Sequence, residues 1–310
     1  MLNRATLSGF LAILFWSSTV AFSRALSENL GPLTTGALIY CLGGLLGLAA
    51  GGWGGLKLIW GMPRRYLLGG GGLFVAYMLL LYVGIGLAAN RAQVLAVGLA
   101  NYLWPSLIML FSIPLLGKRA RFWLFPGMGL ALAGTGLAAA GKEALSLVNL
   151  FRAGESLLPV GLALGAAVAW GLYSNLAHKW APERGSAVPL FLLVSGLAFL
   201  ILRFVMGESS TWAWSLAPML LYMAIFPAWL GYLLWDVAMQ RGNLTLVTAA
   251  SYFTPLLSTL VSILVLGLKP DPRLGLAAGL VMLGAVLSKL GVVDENSFST
   301  HTQNRARCPR

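Results

Sequence analysis

The sequence predicts an all-α membrane protein, with ten transmembrane helices forming two inverted five-helix repeats around a central cavity. Three observations predict it. Of 310 residues, 58% are hydrophobic and only 10% charged, whereas a soluble domain carries about a quarter charged residues. The mean hydropathy is +0.82, and uncharged runs of about 20 residues, the length that spans a bilayer core, recur along the chain. The chain also matches itself when shifted by 150 residues.

Taken in order, the expected spans are 6–26, 32–52, 66–88, 93–116, 121–140, 157–178, 187–206, 215–239, 244–267 and 273–291. The gaps between them are short. The longest, 141–156, carries Lys142, Glu143, Arg152 and Glu155 and reads as a linker. It separates a first repeat over 1–140 from a second over 157–293, and 294–310 is a polar tail expected to be disordered. The first span resembles a signal peptide, with Arg4, an apolar run and small residues near Ala21 to Ser23. It is read as a retained helix, because it has a counterpart in the second half.

The net charge of +12 does not indicate nucleic acid, because the basic residues sit in the gaps between apolar runs and form no patch. With the N-terminus inside, fourteen of the 21 Lys and Arg residues fall on the cytoplasmic side and seven on the other. This bias favours both termini cytoplasmic. It is strong in the first half and weak in the second. Cys41 and Cys308 form no disulfide framework, and His178 and His301 have no metal-binding spacing. No metal and no cofactor are expected. The run Gly69 to Gly72 is not a phosphate loop, since no Gly-Lys-Ser/Thr follows and it lies in an apolar span, where small residues permit close helix approach. No catalytic motif appears, so no enzyme is expected.

The internal match carries the most information. Over 82–117 against 232–267, 13 of 36 ungapped positions are identical. They include Tyr82/Tyr232, Arg91/Arg241, Tyr102/Tyr252, Pro105/Pro255 and Ser112/Ser262, and the register continues through Gly129/Gly279 and Gly134/Gly284. With a four-residue gap, Trp16 lies over Trp170. Five spans per half is an odd number, so the second half inserts upside down. Inverted repeats of this kind build alternating-access transporters with a site near mid-membrane.

The stretch "YVGIGLAANRAQVLAVGLANYLWPSLIMLFSIPLLG" and its echo "YLLWDVAMQRGNLTLVTAASYFTPLLSTLVSILVLG" resemble the EamA-type repeat of the drug/metabolite transporter superfamily. The resemblance covers nearly the whole chain. It implies ten helices, both termini cytoplasmic, and a cavity lined by spans 1, 3, 4, 6, 8 and 9. Within the superfamily the chain looks most like the bacterial aromatic amino acid exporters. One feature departs from the pattern: Lys118 and Leu268 stand where members often carry an acid, so any role of that acid is absent.

Pro105 and Pro255 fall near the middle of the fourth and ninth spans, where a missing backbone donor kinks the helix, either as a hinge that shapes the cavity or as a packing distortion without motion. Trp16, Tyr77, Tyr82, Asn101, Tyr102, Trp104, Trp170, Tyr173, Ser251 and Tyr252 are the candidate substrate-binding residues. Their aromatic members lie too deep for the interfacial belt, so each polar tip needs an internal partner. Packing between helices is the competing role for each of them. Ser17, Ser18, Ser174, Asn175 and Thr254 are further polar candidates on the same spans, while Trp53, Trp60, Trp123, Trp212 and Trp214 lie at span ends as belt residues. Asp236 is the sole clear carboxylate within a span, and an ion pair with Arg241 or a water contact is the favoured reading. The function expected is facilitated export of aromatic and other hydrophobic amino acids across the inner membrane, by rocking of the two halves. The alternative is efflux of other small amphipathic solutes. The partners expected are a small-molecule substrate and the lipid bilayer, with no nucleic acid, and the protein is expected to be a monomer.

Overall fold

The computed structural model describes residues 3–89, 93, 97–98, 100–140, 157–181, 185–266 and 273–294. The linker at 141–156, Arg91 and the tail beyond Asp294 lie outside the described residues. The structure is almost wholly helical. Among the described residues, six helices are long and apolar enough to cross a membrane: α1 (Arg4–Leu30), α2 (Pro32–Trp60), α3 (Arg65–Gly86), α6 (Leu158–Trp180), α7 (Val188–Met206) and α8 (Trp214–Arg241). Between and after them come the shorter helices α4 (Trp104–Leu116), α5 (Leu124–Ala140), α9 (Leu244–Ser251), α10 (Thr254–Leu266) and α11 (Arg273–Leu290).

Local chemistry sets most boundaries. Asn3 caps α1 by accepting from the Thr6 amide at 2.8 Å, and Asn243 caps α9 by accepting from the Leu246 amide at 3.0 Å. Gly31, at φ +81°, turns the chain between α1 and α2, and Pro32 then opens α2 at a position where no amide donor is needed. Gly117 and Gly207 end α4 and α7 in the left-handed conformation that glycine adopts without strain. α1 is broken at Ser18. α8 carries a π-helical stretch over Ala224–Leu230 that contains Pro227.

Several expectations are corrected. The ninth span is two helices, interrupted at 252–253. The fourth is interrupted at 102–103. Pro105 and Pro255 therefore sit in the first turn of α4 and α10 and not inside a continuous helix, because proline has no amide hydrogen to carry the ladder on from the preceding turn. α2 runs past its apolar segment to Trp60, with a non-helical Gly52 (φ +54°) between the two parts. The all-helical class stands, with one short ribbon added to it. β1 (Lys118–Ala120) pairs antiparallel with β2 (Val292–Asp294), tying the end of α4 to the end of α11. Three-residue strands carry no readable periodicity.

The closest helix pairs join the two halves of the sequence: α1 with α8, α2 with α7, α3 with α6, and α5 with α11. Each pair is antiparallel. The Asn3 amide at the start of α1 donates to the Arg241 carbonyl at the end of α8, 3.1 Å away. Arg203, near the end of α7, donates through Nε to Thr34 Oγ1 at the start of α2 at 2.7 Å. Gly69 and Gly84 of α3 face Trp180 and Pro159 of α6. Gly127 and Gly134 of α5 face Ser288 and Ala277 of α11. Glycine permits these backbone approaches, and close packing is what holds apolar helices together in a lipid-like environment. The core is aromatic, with Trp170, Trp235, Tyr66, Tyr173 and Phe74 fully buried. The end-of-span tryptophans are exposed, Trp60 at 74% and Trp214 at 82%.

Candidate functional site

The break in α1 and the breaks before α4 and α10 converge on one cavity of about 120 Å³. Trp16 and Thr19 flank the α1 break. Asn101, Tyr102 and Trp104 flank the break before α4, and Thr254 opens α10. Tyr77 comes from α3, Trp170 from α6 and Tyr232 from α8. These nine residues are its walls. Each interruption points polar groups inward where an unbroken helix would offer a smooth apolar face.

The walls are aromatic and interlocked. Trp16 meets Trp170 edge-on at 5.8 Å between ring centres, and Tyr232 at 5.0 Å. Tyr77 lies 4.8 Å from Trp170, and Trp170 lies 5.6 Å from Tyr232. Behind them, Trp235 supports Trp16 at 5.2 Å and Trp104 at 5.3 Å. Such contacts fix ring orientation and contribute about 0.5–1.5 kcal/mol per pair beyond burial. The Trp16 indole is held by its own hydrogen bond, Nε1 donating to the Pro227 carbonyl at 3.1 Å. That carbonyl lies in the π-helical stretch of α8.

Among the described residues, no charged side chain lines the cavity. Its polar groups are hydroxyls, one amide and the indole N–H donors of Trp16, Trp104 and Trp170. Thr19 Oγ1, Asn101 Oδ1 and Thr254 Oγ1 are buried without a hydrogen-bond partner. Such groups are costly unless something else satisfies them. The arrangement suits a flat ligand with an apolar ring and a few polar atoms.

Of the ten candidate residues, six are brought together here: Trp16, Tyr77, Asn101, Tyr102, Trp104 and Trp170. Tyr82 lines a second, smaller chamber next to it. The other three lie outside both. Tyr173 donates to Asp236 Oδ1 at 2.9 Å. Tyr252 shares a 2.6 Å hydrogen bond with Ser106, and Ser251 donates to the Thr248 carbonyl of its own helix at 2.6 Å. The repeat mates Tyr102 and Tyr252 thus occupy different surroundings. Trp104 and its counterpart Thr254 both reach the cavity. Thr19 and Tyr232 were missing from the candidate set. Tyr232 was signalled by its pairing with Tyr82, and Thr19 by lying three residues, about one turn, beyond Trp16.

Asp236 does not take the ion pair expected from its nearness to Arg241. It is fully buried and accepts from four uncharged donors: Tyr66 at 2.9 Å, Tyr173 at 2.9 Å, Ser186 at 2.5 Å and Gln240 at 2.7 Å. The Arg241 side lies toward the surface, and its carbonyl bonds Asn3. Helical spacing puts Asp236 and Arg241 five residues apart, on different faces. Ser186 lies outside the spans, so no local pattern announces it.

A family model described as the EamA-like transporter family matches residues 3–140 and again residues 157–290. The aromatic amino acid exporter YddG of Salmonella typhimurium is 34% identical over 288 residues, covering 92% of this chain and 96% of that one. The protein of the same name from Escherichia coli K12 is 34% identical over 268 residues, covering 85% and 89%. A solved crystal structure at 28% identity superposes with a TM-score of 0.78, covering 94% of this chain and 99% of the other.

Proposed function

The chain belongs to the EamA-like transporter family, a multi-pass membrane transporter family and not an enzyme family, and on that premise we propose that it exports aromatic amino acids across the bacterial inner membrane. The observation that carries the reading is the uncharged cavity walled by Trp16, Tyr77, Trp104, Trp170 and Tyr232. Its aromatic walls complement a flat ring, and its hydroxyls and amide complement a polar head. The similarity to proteins named as aromatic amino acid exporters supports it.

The architecture proposed is ten spans in two inverted halves, 1–140 and 157–293, joined by 141–156 and followed by a polar tail from 294. The two successive family matches support this division. So does helix direction: α2 against α7 and α5 against α11 are equivalent helices under the repeat, and each pair is antiparallel, as an inverted repeat requires. The bias of Lys and Arg supports both termini cytoplasmic. One chain encloses the cavity, which supports a working monomer. Transport is proposed to be facilitated, since none of the described wall residues is a carboxylate. The helix breaks beside Pro105 and Pro255 are proposed as the hinges on which the halves rock.

The test is uptake of labelled phenylalanine into proteoliposomes. Tyr102→Ala, Trp104→Ala and Trp170→Ala, inserted at normal levels, are each expected to lower uptake at least tenfold, since truncating an aromatic anchor typically costs 2 kcal/mol or more. Three variants that all transport like wild type would overturn the site. A panel that includes non-amino-acid amphiphiles reads out the other substrate class.

A further inference from the structure

α2 is longer than a bilayer core requires. Its 29 residues extend about 43 Å at 1.5 Å per residue, against a core of about 30 Å. The part before Gly52 already covers about 30 Å. Gly52, at φ +54°, interrupts the helix there. The segment 53–60, "WGGLKLIW", continues as helix beyond the interruption. A methyl group on Gly51, Gly52, Gly54 or Gly55 would meet nothing within 4 Å among the described residues, so this turn stands clear of the other helices. The far end is anchored. Ile59 and Met62 are buried, and the Leu58 and Met62 side chains pack against Gly185 in the loop after α6.

The outward face combines two residue types. Trp53, Lys57 and Trp60 are spaced i, i+4 and i+7, on one side of the segment. The two indoles meet edge-on at 6.3 Å between ring centres, and the Lys57 ammonium lies 5.9 Å from the centre of the Trp53 ring. All three residues are exposed. Arg64 and Arg65, also exposed, follow within five residues of Trp60 at the start of α3. Among the described residues, no carboxylate pairs with any of these three charges. The segment begins where the bilayer core ends, at the depth of the lipid phosphates. Tryptophan rings settle at that depth. An ammonium and two guanidinium forks supply the donors that a phosphate oxygen accepts.

We propose that this corner of α2 and α3 is a binding site for an anionic phospholipid of the surrounding bilayer. Lys57, Arg64 and Arg65 hold the phosphate, and Trp53 and Trp60 cover the glycerol region. The charge of the three cations matches an anionic head group, and anchoring by Leu58 and Met62 keeps charges and rings together on one outward face. The site also bears on the helix bundle. Leu58 touches Gly185, and the next residue, Ser186, donates to the buried Asp236. A lipid seated here therefore steadies the loop after α6. The proposal does not depend on which solute the protein carries.

The experiment uses the full chain in mild detergent, titrated with dioleoyl-phosphatidylglycerol or dioleoyl-phosphatidylcholine and read by native mass spectrometry. Wild type is expected to bind its first phosphatidylglycerol at least about tenfold more tightly than phosphatidylcholine. Lys57→Gln, Arg64→Gln and Arg65→Gln combined should lower phosphatidylglycerol affinity at least about thirtyfold, since each basic side chain at an anionic head group contributes roughly fivefold. Phosphatidylcholine affinity should stay unchanged in that variant. Trp53→Leu with Trp60→Leu keeps the charge and should weaken both lipids alike. The control combines Arg119→Gln, Arg121→Gln and Lys289→Gln. It removes the same number of charges, next in sequence to the exposed Phe122 and Trp123, and should change phosphatidylglycerol affinity less than about threefold, because those charges lie outside the site. Equal losses in the two charge variants would mean diffuse attraction to a basic surface and overturn the site. A wild type without preference between the lipids, a result that needs no variant, overturns it as well. So does displacement of the lipid by inorganic phosphate at equal concentration, which would make the ligand a free anion.

Discussion

Asp236, a carboxylate in an apolar helix, is satisfied four times over by hydroxyls and an amide, so its partners are committed to structure. Tyr66→Phe should therefore lower thermal stability, by about 1–3 kcal/mol for one bond to a buried charged group, and leave the preference among substrates unchanged. Thermal unfolding by intrinsic fluorescence, together with the substrate panel, checks both halves of that statement. Tyr173→Ala should cost more, about 3–5 kcal/mol, because a fully buried ring is lost as well. Position within a span identified Asp236 as notable, but three of its four partners lie 50 to 170 residues away, and only Gln240, four residues on, was within local reach. The depth of Trp16, Tyr77, Asn101, Tyr102, Trp104 and Trp170 was legible, and those six reach one cavity. Tyr173, Ser251 and Tyr252 have the same depth and a similar setting in sequence. Only the rotation of their helices turns them away.

At the scale of the element, glycines decide which helices touch. A methyl group on Gly284 would lie 2.3 Å from the Ala131 amide nitrogen and 2.7 Å from the Gly127 carbonyl, both backbone atoms that cannot swing aside. Gly284→Val is therefore expected to separate α5 from α11 and abolish the monodisperse peak in detergent size-exclusion chromatography. Gly129 and Gly279 have nothing within 4 Å of such a methyl, and Gly129→Ala and Gly279→Ala should leave that peak intact. The two glycine pairs are equally visible as repeats, yet only one is packed. The broken helices give a second prediction. Pro105→Ala combined with Pro255→Ala restores the amides and removes the breaks, and is expected to slow initial uptake while equilibrium phenylalanine binding persists, as a loss of hinge motion would. Binding lost in step with transport would show that the breaks shape the site and do not move.

For the whole molecule, polar ties between the halves gather at both ends. At one end, Glu208 accepts from the Leu33 and Thr34 amides at 3.0 and 2.7 Å, capping α2 with a carboxylate brought from the loop after α7. At the other, Asn3 and Thr6 meet Arg241 and Asn243 of the second half. Under the proposed rocking, one end opens at a time, and the end that opens gives up its ties. Glu208→Ala is expected to increase labelling, by a membrane-impermeant maleimide, of a single cysteine placed at Ser23 in an otherwise cysteine-free chain. Unchanged labelling would mean that this cap does not hold the end closed. Facilitated transport predicts that a protonophore leaves initial phenylalanine uptake unaltered, while internal phenylalanine accelerates it by counterflow.

What the sequence alone determined is the part written in composition and repetition. The scarcity of charge required a nonpolar surround, the run lengths set helix lengths, and the match at 150 residues required two related halves. These are local or periodic properties, and they survive in any tertiary arrangement. The tertiary structure alone decided which faces meet: that α1 breaks at Ser18 and brings Thr19 to the cavity, that Tyr102 reaches the cavity while Tyr252 bonds Ser106, and that a short β-ribbon ties the ends of α4 and α11. In a chain apolar on almost every face, hydrophobic periodicity no longer marks an inward side. Helix rotation is then set by glycine contacts and by hydrogen bonds between residues far apart in sequence.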